Sequence, residues 1–272
     1  MVARLVRSLY HSTLPSRSGV SWWDVSELAL AALGFLLYFL VRGAVSGHSD
    51  DAFRHSREII SLTMWLGVFV EPEVNRFASQ SEPVWRMMNF VYFWFDFPLI
   101  VGVSVYFFAR QRHWYTVLRD SLLASGGIAL LLYWRFPVAP PRLLTEWGFV
   151  DTMQVHARLS YQAQSLQPFV NPFAAVPSLH VGWAALLVCA VWGATRHWPA
   201  RIAVLIVLAL QSVAVVATAN HFLFDALVGL MVCAVGLGVA YWLQRSGYPL
   251  VRRVLGAAAR RADAQTARTA KA

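Results

Sequence analysis

The sequence predicts an all-α protein, a polytopic membrane helix bundle with about six transmembrane helices and one short interfacial or re-entrant helix. Of its 272 residues 58% are hydrophobic and only 14% are charged, and the mean hydropathy is +0.51. That is too apolar for an ordinary soluble domain. The apolar residues fall into runs close to the roughly 20 residues that cross a bilayer. The 12 Trp fit membrane interfaces, where amphipathic rings settle between headgroups and tails. The formal net charge of +9 comes from arginines that punctuate apolar runs and cluster in the tail, which points to a membrane partner and not to nucleic acid. The two cysteines, Cys189 and Cys233, lie inside apolar runs, so neither a disulfide framework nor a thiolate metal site is expected.

Residues 1–24 carry Arg4, Arg7 and Arg17 and read as a basic cytoplasmic leader. A first span follows at about 25–41, without the small-residue cleavage site of a signal peptide; with the mixed outer-face segment up to residue 84 it makes a unit over 25–84. Within that segment the apolar run 59–70 is too short to cross and reads as the interfacial or re-entrant helix. The second span, about Val84 to Ala109, is interrupted by Asn89, Asp96 and Pro98. The third, about 116–134, begins with Arg119 and Asp120, which can pair or reach headgroups. A proline-rich loop of some 40 residues comes next, too polar to lie bare in lipid and long enough to be functional. The fourth, fifth and sixth spans run from Ser178 to about Thr195, from 202 to about 219, and from His221 to about Trp242. Residues 85–243 thus form the main membrane domain and 244–272 a basic cytoplasmic tail.

Most of the 23 Lys and Arg fall in the leader, the tail and the turns at 110–119 and 196–201. The positive-inside rule therefore puts both termini in the cytoplasm and the long loop on the outer face. The same loop carries Arg142 and leads to His180, and the turn carrying His221 lies on that face too.

Three strings on this outer face carry chemistry: RFPVAPPR at 135–142, VPSLH at 176–180 and NHFLFD at 220–225. His221 and Asp225 stand four apart, on one face of a helix, and a carboxylate inside a membrane calls for a partner. Asp225 bonded to one ring nitrogen would fix the tautomer and leave the other nitrogen of His221 as nucleophile or base; the plainer alternative is a capping histidine beside an ordinary hydrogen-bonded Asp. Pro177 and Ser178 suit a helix start, whose free N–H groups attract anions, and His180 lies in that first turn. Arg135 and Arg142 are seven apart; arginine grips phosphate through its planar fork, with snorkelling to the interface the simpler reading of Arg135.

In this order the strings resemble the type 2 phosphatidic acid phosphatase (PAP2) superfamily, whose pattern is K-x6-R-P, then P-S-G-H, then S-R-x5-H-x3-D. The PSLH variant, APPR before it and the histidine-led HxxxD after it are similar to the inositol phosphorylceramide synthase-like inositolphosphotransferase branch. The resemblance covers about residues 85–243. It implies that Arg142 and Ser178 bind phosphate, with Arg135 where the motif lysine would stand; that His180 protonates the leaving oxygen; that His221 takes the phosphoryl group; and that Asp225 orients His221. Leu179 replaces the motif glycine and Leu143 the motif proline, while Ala214 and Val215 stand where a Ser-Arg pair would be, so one phosphate-binding arginine is missing.

The activity implied is transfer of a phosphoryl or substituted phosphoryl group from a lipid phosphate or phospholipid, through a phosphohistidine, to an alcohol such as inositol. With water as acceptor the same chemistry gives a lipid phosphate or polyprenyl (pyro)phosphate phosphatase. No cofactor or metal is expected, there being no acidic cluster of the kind Mg²⁺ prefers. Two rivals are a metalloenzyme with His180, His221 and Asp225 as ligands, against which the lack of paired His boxes among eight histidines speaks, and a non-catalytic transporter or lipid-binding protein with Asp96 and Asp225 on its pathway. His156, Asn89, Asp96 and Asn171 are further candidates for shaping a headgroup pocket.

Overall fold

The computed structural model describes residues 22–44, 49–155, 171–251, 253–254, 256–257 and 260. The leader up to residue 21, most of the tail and His156 lie outside the described residues. Those described form α1 (Trp22–Ala44), α2 (Ser49–Trp65), α3 (Glu71–Gln80), α4 (Glu82–Trp94), α5 (Phe97–Arg110), α6 (Arg112–Arg135), α7 (Leu179–Ala194), α8 (Trp198–Ala217) and α9 (Leu223–Trp242), the last prolonged by a π turn, Leu243–Gly247. Pro72, Pro83, Pro98 and Pro199 stand in the first turns of α3, α4, α5 and α8, where a missing N–H costs nothing.

Among the described residues three helices are long and apolar enough to cross a membrane: Arg112–Arg135, Trp198–Ala217 and Leu223–Val251. The pair α4 and α5 passes the same test as one broken span, bent by 41°. The second span is therefore not continuous. Pro98 has no N–H to give and its ring crowds the carbonyl of Trp94, and α4 ends at Trp94. The apolar run 59–70 is likewise not one helix: α2 stops at Trp65 and Gly67 turns the chain with a φ of +70°, a conformation that suits glycine. The inward residues of α2, Ala52, His55, Ser56, Ile59, Ile60 and Thr63, keep helical spacing and give it one buried face.

The core runs in three parts. Leu118, Leu122, Trp183 and Leu187 join α6 to α7; Met88, Val91, Tyr92, Ala214 and Val215 join α4 to α8; Val138, Phe149, Ala175, Val176 and Phe222 close the loop side. Facing outward, α8 and α9 stay apolar, with Ile206, Val213, Leu227 and Val235 exposed, as helices bathed in lipid require.

Glycines let α9 come close to its neighbours. A Cβ on Gly229 would run into the carbonyl oxygen of Ser178, and one on Gly182 would meet the Gly229 carbonyl oxygen at 2.7 Å. Close backbone approach of this kind is how helices associate where burial against water gives no drive. At the far end, Arg119 does pair with Asp120, at 2.7 Å, and also with Glu27 of α1; Tyr248 donates to the Asp120 carboxylate at 2.8 Å.

Candidate active site

The loop from Pro137 to Asp151 is tied down by segments far away in sequence. His55 Nδ1 lies 2.8 Å from the Pro137 carbonyl oxygen and Ser56 Oγ donates to the Ala139 carbonyl at 2.8 Å. Val138 forms a parallel bridge with Ala174, drawing the loop to the approach of α7. Asn75 of α3 accepts from the Val150 amide at 2.8 Å and donates to the carbonyls of Val150 and Ala217, at 3.1 and 2.9 Å. These bonds satisfy loop backbone that would be costly to bury unpaired.

Arg142 is thereby brought under the turn between α8 and α9. Its backbone N–H donates to Ala219 at 2.8 Å, its Nη1 donates to Asn220 Oδ1, and its Nε lies 3.6 Å from Asp151 Oδ2. Asn220, which opens the NHFLFD string, and Asp151, which lies in no motif, were not visible in the sequence as partners of Arg142. The turn is tight: the Val215 carbonyl accepts the amides of both Asn220 and His221, at 3.0 and 3.1 Å, and Ala219 adopts a φ of +54°, a left-handed conformation that costs a non-glycine residue on the order of 1–3 kcal/mol and is found at functional sites. Ala214 and Val215, where the motif would carry Ser-Arg, are fully buried, and their backbone serves the turn.

His221 does not share a helix with Asp225, as the spacing suggests. The helix begins at Leu223, because Asp225 folds back and its Oδ2 accepts the Phe222 amide at 2.8 Å, which caps the helix two residues after the histidine. The pair still meets, with His221 Nδ1 3.4 Å from Asp225 Oδ2. A closer partner is the Ala175 carbonyl oxygen, 2.8 Å from Nδ1. A carbonyl only accepts, so Nδ1 carries the proton and Nε2 keeps its lone pair. The tautomer is thus fixed first by a backbone oxygen, with Asp225 as second neighbour.

Ser178 precedes α7 and is fully buried. Its side chain does not cap the helix; its amide donates to the Asp225 carbonyl at 2.9 Å, and its hydroxyl is buried without a hydrogen-bond partner, a condition that asks for an explanation in a native site. His180, in the first turn, stacks on Tyr92 with ring centres 4.3 Å apart. Its Nε2 lies 3.4 Å from Asp96 Oδ2, the acid at the break between α4 and α5. The rings of His180 and His221 are 5.6 Å apart. Both border a cavity of about 40 Å³ whose wall includes Tyr38, Asp96, Tyr133 and Trp183.

Five of the six predicted residues, Arg142, Ser178, His180, His221 and Asp225, thus gather around one turn and one helix start. Arg135 is exposed at the end of α6 and makes none of these contacts; Tyr133, two residues before it and about 200° round the helix, is the side chain that faces inward and donates to the Pro177 carbonyl at 2.9 Å. Asn89 pairs with Thr152 and Asn171 with the Phe173 amide, which gives both a part in holding the loop. Sequence reasoning also passed over Glu71. It is fully buried, and its Oε1 accepts the Leu223 amide at 3.0 Å, one residue along from the amide that Asp225 takes. Among the described residues no group of three His, Cys, Asp or Glu is placed to hold a metal ion.

A family model described as the PAP2 superfamily matches residues 57–239; among curated proteins and solved structures none matches the chain. The match reaches back past the three motif strings into α2 and takes in Glu71 and Asn75, the residues that hold the turn and the loop. With two thirds of its length inside that match, the chain belongs to the PAP2 superfamily, whose members are generally phosphatases and phosphotransferases acting on lipid phosphates.

Proposed function

We propose that the protein is a multi-pass membrane lipid phosphotransferase of the inositolphosphotransferase type, with about six spans, cytoplasmic termini and its site on the outer face. The observation that carries this reading is the short contact from the Ala175 carbonyl to His221 Nδ1, which leaves Nε2 as a nucleophile beside a second histidine ring. In the first step Nε2 attacks phosphorus; the bond from phosphorus to the lipid oxygen breaks, and that oxygen leaves with a proton from His180. Arg142 and the amides at the start of α7 face the equatorial oxygens, the electrostatic role phosphoryl transfer demands. In the second step an alcohol such as inositol attacks the phosphohistidine, gives its proton to His180 and frees His221. Asp225 and Asp96 hold the two rings.

Hydrolysis is the second reading, and the size of the cavity favours it. About 40 Å³ exceeds the roughly 10–15 Å³ that one water needs, whereas an alcohol as large as inositol requires the loop to give way. Incubating labelled lipid phosphate or phosphoinositide with and without inositol separates the two, since free phosphate as sole product rules out transfer. For either reading, His221→Ala should lower turnover by the purified protein by more than about 10³-fold and abolish acid-labile phosphohistidine, and His180→Ala should lower it about 10²–10⁴-fold. Unchanged turnover in both variants would remove the assignment.

A further inference from the structure

Tyr38 and Trp183 line more than the cavity between the histidines. The same two side chains also wall a second, apolar groove of about 200 Å³, bounded by Gly34, Phe35 and Val41 of α1 and by Leu123, Gly127 and Leu130 of α6. Trp183 is held there by its Nε1–H bond to Ser125 Oγ at 3.1 Å and by the ring of Tyr38 at 5.9 Å. Among the described residues no charged side chain lines the groove. From Leu130 to Leu122 it follows about 12 Å of α6, a helix apolar and long enough to cross the membrane. Its volume is below the roughly 300–1,000 Å³ of sites that enclose a drug-sized ligand, which suits one chain and not a branched or ringed body. Half of its wall is α1, which precedes the family match at residues 57–239.

We infer that this groove receives one hydrocarbon chain of the phosphate-bearing substrate, so that α1 is a specificity element for the lipid. The inference rests on the lipid-phosphate reading above. A chain seated along α6 places its phosphate end at Tyr38 and Trp183, the side chains that border both spaces. Ordinary bilayer lipid filling the groove is the competing occupant, and it predicts no dependence of turnover on the substrate's chain.

Gly127 supplies the test, because it lines the groove and a Cβ there meets nothing within 4 Å. Hexadecyl phosphate and butyl phosphate serve as probes for Gly127→Leu and for Leu130→Ala, with a diazirine-tailed hexadecyl phosphate for photolabelling. Gly127→Leu should lower kcat/KM for hexadecyl phosphate by about tenfold or more, leave butyl phosphate within about twofold, and remove labelling from residues 34–41 and 122–130. Leu130→Ala should keep that labelling and the preference for the long chain. Equal changes for both phosphates in Gly127→Leu, or wild-type labelling confined to other residues, would overturn the groove. Wild-type protein that labels there yet turns over neither phosphate would sink the proposed function and leave the groove standing.

Discussion

The crossing of α7 over α9 and the loop from Pro137 to Asp151 bring residues to the same turn by opposite means. At the crossing nothing but the absence of a side chain sets the distance: Gly229 lets the backbone of Ser178 come close enough for its amide to bond Asp225. The loop has no such close packing. Its position depends on side chains reaching in from α2 and α3, namely His55, Ser56 and Asn75. Packing by glycine is intolerant of any added atom, while tethering by hydrogen bonds loses strength one bond at a time.

That contrast can be broken at the crossing first. Gly229→Ala should destabilise the protein by about 1–3 kcal/mol through overpacking, and by pushing Ser178 away it should lower turnover about 10²-fold, the usual cost of misplacing a reacting group by 1 Å. Thermal unfolding in detergent alongside a turnover assay checks both; an unchanged rate would mean that the crossing does not set the site. At the loop, Asn75→Ala removes three hydrogen bonds and leaves backbone groups unpaired, for an expected loss of about 1–3 kcal/mol. Since Arg142 rides on that loop and the histidines do not, KM should rise more than kcat falls, and steady-state kinetics will show a kcat-dominated loss if the loop and the crossing are in fact one unit. The smallest effect is expected at Ala219→Gly. Relief of a left-handed alanine, about 1–2 kcal/mol, is offset by a lost buried methyl, about 0.8 kcal/mol, and by the greater freedom of glycine when unfolded. Stability should change by less than about 1 kcal/mol, with turnover unaltered, as a denaturation curve and a rate will show.

The sequence made the apolar runs and the order of the motif strings plain, because both are local properties: a run length for the bilayer, and a residue type at each motif position. It could not show what fixes the tautomer of His221. That partner is a backbone carbonyl 46 residues away, and a carbonyl has no signature in a sequence. Asp96 was visible as an interruption of a span and as a candidate for a pathway or headgroup pocket, but not as a neighbour of His180; that approach depends on the bend that Pro98 imposes. Asn75 and Glu71 sat in a stretch that looked like mixed outer-face polarity, since an acid whose oxygen accepts a distant helix amide reads the same as a solvated one. Arg135 shows the converse: the resemblance sets it where a motif lysine would stand, and the pitch of α6 turns it outward.

The shortness of α7 beside the cavity has a consequence for the bilayer itself. By the helical rise of 1.5 Å per residue, the 16 residues of α7 extend only about 24 Å, against a hydrocarbon layer of roughly 30 Å. Lipid thins to match a short apolar surface at modest cost. With the site on the outer face, as proposed, a bilayer thinned in this way would bring its headgroups toward the two histidines, and a lipid phosphate would reach them without leaving its own leaflet.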